Sequence, residues 1–134
     1  MFANPKCFMK LIDTHTHLYL PEFDQDRDQM IANATDNNVQ KLLLPNVDST
    51  TILPLMDLVY RYPEHCYPMV GLHPTSVKDD YIKELEQIES WLKKEKFIAV
   101  GEIGIDLYWD KTFQKQQEEV FRHQLDLAKK YGLP

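Results

Sequence analysis

Short apolar or β-branched runs recur along the chain at 10–13 (KLID), 41–46 (KLLLPN), 67–72 (YPMVGL) and 97–103 (FIAVGEI). Their centres fall near residues 12, 43, 69 and 99, intervals that suit a strand, a loop, a helix and a return loop. The segments between them carry helical periodicity. A first helix is predicted over about 26–37, supported by Met30, Ile31 and Ala34. In the second, Ile52, Leu55, Met56, Val59 and Tyr62 share a face, Ser49 and Thr50 offer capping hydroxyls, and Pro63 stops it. Ile82, Leu85, Ile88 and Leu92 mark a third helix, opened by Asp79 and Asp80. The fourth is predicted over about 112–131, with Phe121, Leu125 and Ala128 on one stripe and Gly132 as its stop.

Strands that read as continuous apolar runs are expected in a parallel sheet covered on both faces. Four right-handed βα units make either a small open α/β sheet or the first half of an eight-stranded barrel. The final Gly-Leu-Pro stands where a fifth strand would begin.

Composition narrows the class. The 134 residues suffice for one domain, and 43% hydrophobic with 27% charged side chains is an ordinary globular balance. Fifteen basic against twenty-one acidic side chains give a net charge of −6. That argues against holding nucleic acid on a basic face, where Lys and Arg neutralise phosphates. It leaves open an enzyme that meets phosphate through bound cations. Cys7 and Cys66 form no CxxC pair, and residues 1–9 read as a variable leader without a secretion signal or membrane span. A cytoplasmic protein is expected.

Metal-capable side chains cluster where the predicted strands end, the place where α/β folds put their active sites. After the first strand comes Asp13-Thr14-His15-Thr16-His17. Residues two apart in an extended segment share a face, so both imidazoles can reach one cation. After the third strand stands Gly71-Leu72-His73-Pro74, where His73 either contacts substrate or simply ends the strand. Glu102 lies in the apolar run of the fourth strand with no Lys or Arg nearby, so a cation is its expected partner. Tyr108 and Trp109 follow on the same loop, placed either to stack on a base or to cover the helix below. His65 and His123 lie away from the strand ends and read as solvated. The Lys and Glu residues between Lys83 and Lys96 read as a solvated helix face.

These residues resemble the TatD family of metal-dependent deoxyribonucleases, within the amidohydrolase group of barrels. The resemblance runs from about Lys10 to Pro134 and rests on DTHTHL (13–18), VGLHP (70–74), GEIGIDLYWD (101–110) and QEEVFRHQLDLAKKYGLP (117–134). It implies an α/β fold of the (β/α)8 TIM-barrel kind, with this chain covering about the first four βα units. Residues 10–134 are then expected to form the N-terminal half of a barrel whose remaining strands supply two further histidines and an aspartate. Carried over, His15, His17 and Glu102 match metal ligands, with Glu102 bridging and catalytic. His73 and Asp106 match positions lining the substrate mouth, beside Tyr108 and Trp109. The resemblance implies one or two divalent ions (Mg, Mn or Zn) and hydrolysis of DNA phosphodiester bonds by activated water, on single strands or 3′ ends.

Two rival readings stay open. One is a small-molecule amidohydrolase of the same superfamily. The other is an inactive half-barrel that self-associates through its exposed edges.

Overall fold

The structure, a computed structural model, describes residues 9–134. The apolar runs become four parallel strands: β1 (Leu11–Asp13), β2 (Val39–Pro45), β3 (Cys66–Val70) and β4 (Ala99–Val100). They pair in chain order, β1-β2-β3-β4, so every crossover steps the sheet one strand further in the same direction. The crossovers run through α1 (Arg27–Asp36), α2 (Ser49–Arg61) and α3 (Tyr81–Lys94), and α4 (Gln114–Tyr131) follows β4. Each helix thus returns the chain to the same end of the sheet, and the polar segments after β1, β3 and β4 gather at the opposite end.

Burial alternates along the central strands. Leu42 and Leu44 of β2, and Cys66, Pro68 and Val70 of β3, are buried, whereas Lys41, Leu43, Tyr67 and Met69 between them are not. Within this chain the helices cover one face, and Leu43, Tyr67 and Met69 on the other are half-buried. The core lies between the covered face and the helices, built on Leu44, Ile52, Leu55, Leu58, Val70 and Ile88.

The helices differ from expectation in their details. Asp48, not Ser49 or Thr50, caps α2, in a reciprocal box with Thr51. Met30 of α1, Ile82 of α3 and Leu125 of α4 face outward, being 40%, 49% and 39% exposed. In α4 the buried stripe is Gln117, Val120, Gln124 and Leu127, displaced from the Phe121–Leu125–Ala128 stripe. Periodicity counts only apolar residues, so it passed over two glutamines that the core accepts because their amides are fully bonded. Gly132 ends α4 at φ 64°, the left-handed conformation that favours glycine. The fourth strand is shorter than predicted. Ile98 N and Gly101 N still donate to Pro68 O and Val70 O of β3, but beyond Gly101 the chain leaves the sheet. The proposed leader falls almost wholly outside the described residues, as does Cys7.

Candidate metal centre

The segment after β1 stays extended: Thr16 N donates to Leu43 O at 3.1 Å, and Asp13 Oδ1 accepts from His15 N at 3.0 Å. His15 and His17, on either side of Thr16, therefore project together. Their Nε2 atoms lie 3.1 Å apart. Glu102, just past β4, brings Oε2 to 3.2 Å from His15 Nε2 and 3.9 Å from His17 Nε2. The structure thus joins the three residues predicted as ligands, from opposite edges of the sheet's ordered end, into one group able to hold a cation. Ligand atoms about 2.1 Å from a common ion stand about 3.0 Å apart at right angles and about 3.4 Å apart at tetrahedral angles. The His15–His17 and His15–Glu102 separations fit that spacing, and the 3.9 Å between His17 and Glu102 is wider than it; two imidazoles with a carboxylate suit zinc or manganese, with magnesium within range.

His73 joins the same group through a different atom. Its Nε2 lies 3.3 Å from Glu102 Oε1, while its Nδ1 accepts from Thr75 N at 3.2 Å. A backbone N–H can only donate, and the Thr75 hydroxyl, 2.7 Å from the same Nδ1, can donate to it as well, so in the neutral ring Nε2 carries the proton and points it at Glu102. One carboxylate oxygen is thereby held by His73, and the other is offered beside His15 and His17. Burial, and next the neighbouring His15 imidazole, push His17 below its ordinary value, with Glu102 pulling the other way. A low-lying imidazole stays neutral, as a metal ligand must.

The loops that carry His73 and Glu102 are fixed by side chains that sequence reasoning missed. The Gln124 amide takes Leu72 N on Oε1 at 2.6 Å and donates from Nε2 to Leu72 O at 3.2 Å. Seven residues earlier on the same face of α4, Gln117 repeats the pairing with Asp106 N and O, at 2.8 and 3.0 Å. Asn46, also fully buried, accepts from Gly71 N and donates to Asp48 O. Gly71 makes this packing possible: a Cβ there would stand 3.0 Å from Gly101 C and 3.1 Å from Glu102 O. The signal available in the sequence was the recurrence of glutamine on the buried face of α4.

The remaining candidates lie apart from the ligand group. Asp106 accepts from Tyr108 N at 2.9 Å and lines a small cavity of about 80 Å³ with Thr75, Lys78, Trp109 and Phe113. Tyr108 and Trp109 pack edge to face at 4.7 Å and are 83% and 80% exposed, so they do not cover the helix below. His65 and His123 are each half-buried, which corrects their reading as solvated. His65 Nδ1 lies 3.3 Å from Gln40 O, and His123 pairs with Glu89 at 3.0 Å, clipping α4 to α3. Nor is the α3 face wholly solvated, since Glu84 accepts from Ser49 N and Oγ at the start of α2.

The chain is similar to known proteins in both sequence and fold. The sequence model of the TatD related DNase family matches residues 12–134. The Uncharacterized metal-dependent hydrolase YabD of Bacillus subtilis (strain 168) is 36% identical over 124 residues, covering 92% of this chain and 48% of its own. The 3'-5' ssDNA/RNA exonuclease TatD of Pectobacterium carotovorum is 26% identical over 124 residues, with 92% and 48% covered. Among solved structures, the TatD homolog YJJV of Escherichia coli K12 superposes with a TM-score of 0.85 at 32% identity, over 95% of this chain and 49% of that one. The chain spans about half the length of the curated relatives it matches.

Proposed function

The chain belongs to the TatD related DNase family, and on that premise we propose that it carries the N-terminal part of a metal-dependent hydrolase centre acting on nucleic-acid phosphodiesters. Residues 10–134 form the first half of the barrel in this reading. The observation that carries it is the convergence of His15 Nε2, His17 Nε2 and a Glu102 oxygen at ion-binding spacing. A divalent ion held there supplies charge neutralisation at a phosphoryl oxygen and acidity to water. Glu102 is oriented by His73, which donates to its far oxygen and leaves the other oxygen beside His15 and His17, where the three residues would hold the ion. Exposed Tyr108 and Trp109 offer a stacking face for unpaired bases, with Lys78 beside them as a phosphate contact. The substrate assigned is single-stranded DNA, entered from its 3′ end. The net charge of −6 leaves the cation, not a basic surface, to attract phosphate.

The test is degradation of a labelled single-stranded oligonucleotide by the protein with magnesium, manganese or zinc. Loss of 3′ nucleotides that stops with chelator, and with Glu102→Gln, supports the reading. No cleavage of DNA with any of the three ions, by a protein shown to be folded, contradicts hydrolysis by these residues alone and favours the inactive half-barrel. A second reading draws on β1, where Leu11 and Ile12 are 43% and 53% exposed beside an open sheet face. Such an edge favours association of two chains.

A further inference from the structure

Tyr19 stands two residues beyond His17 and is 2% exposed. Its hydroxyl lies 2.6 Å from Pro45 O and 2.8 Å from His17 Nδ1. The position of Pro45 O follows from the sheet. Leu43 O accepts from Thr16 N, and the carbonyl two residues further along β2 faces the same side, where β1 has already left the sheet. Without Tyr19 that carbonyl loses its partner.

The shorter of the two contacts, at 2.6 Å to Pro45 O, sets the proton count. A carbonyl oxygen has no proton to give, so the phenolic hydrogen goes to Pro45. Toward His17 the phenol oxygen can only accept, and Nδ1 must carry the imidazole hydrogen. In the neutral ring this leaves Nε2 bare, and Nε2 is the atom that faces His15 and Glu102. We infer that Tyr19 is a positioning residue that locks His17 in the Nδ1–H tautomer and aims its free Nε2 lone pair into the cation site. This rests on the metal-centre reading above. His73, facing the same carboxylate, is held in the opposite tautomer by Thr75 N. The two rings are therefore sorted into ligand and donor by what touches their far nitrogens. His15 has no such partner at Nδ1 among the described residues, so the orienting device is particular to His17.

The experiment is a long-range nitrogen–proton correlation spectrum of the histidine rings in the metal-free, isotope-labelled protein, above the pH at which imidazoles protonate. It is paired with calorimetric titration of zinc or manganese. The wild type is expected to show His17 protonated at Nδ1 and His73 at Nε2. Tyr19→Phe keeps the ring and removes the hydroxyl. In that variant the His17 preference is expected to be lost with His73 unchanged, and metal affinity to fall about 10–100-fold, the usual range for loss of such a partner. Wild-type His17 protonated at Nε2 overturns the inference without any variant, so a misfolded Tyr19→Phe would not shelter it. An unchanged tautomer and affinity in folded Tyr19→Phe overturns it equally. If wild type shows the expected tautomers but binds neither metal, the metal reading fails while the tautomer assignment stands.

Discussion

His17 and His73 face one carboxylate from opposite sides, yet their chemistry is set by atoms on the far edge of each ring. That distinction lay outside the sequence, where both were simply histidines at strand ends. The residue types and their spacing were legible, because an HxH on an extended segment must present both rings to one side. Which nitrogen each ring presents depends on Pro45 O and Thr75 N, whose placement follows from the folded sheet. The depressed His17 imidazole has a consequence for pH. Above its ordinary value of 6.5 the ring is neutral in folded and unfolded chains alike. As pH falls below that, the unfolded chain takes up the proton first, so the metal-free fold loses stability until the native value is passed. Denaturant melts across this range are expected to show the decline, and His17→Gln to flatten it relative to wild type. An identical slope in the variant would remove His17 as its source.

At the scale of elements, α4 works as a splint. Gln117 and Gln124 each imitate a peptide group, closing two hydrogen bonds on the main chain of a loop that would otherwise carry buried, unpaired polar atoms. Truncating Gln124 to Ala leaves Leu72 N and O without partners. The expected loss is about 2–3 kcal/mol, on the scale of a buried group stranded without its bond. Thermal melts check this, together with weaker metal binding because His73 adjoins Leu72. A melt unchanged from wild type would mean that the loop holds itself. The order and type of the four strands and four helices were readable from hydrophobic period, since each βα unit must bury one face. The inward side of α4 was not, because polar side chains with complete hydrogen bonding are invisible to a pattern of apolar residues. The brevity of β4 was equally hidden, since an apolar run does not say where backbone pairing stops.

For the whole molecule, the four parallel units match half of a solved TatD homolog closely, and the same end of the sheet gathers every candidate ligand. One helix-covered face and one open face follow from the alternation of buried and half-buried residues in β2 and β3. No helix among the described residues is long and apolar enough to cross a membrane. In the proposed function the negative net charge leaves attraction of a polyanion to cations held at the site, which makes metal retention the property on which that proposal depends. The decisive measurement is elemental analysis of the protein after zinc or manganese loading and gel filtration, beside a His15→Ala/His17→Ala variant prepared identically. One or two ions per chain in the wild type, and none in a variant that remains folded, is the expected result. Equal metal content in the two, or a folded wild type that retains no ion, would contradict a metal centre built on His15, His17 and Glu102.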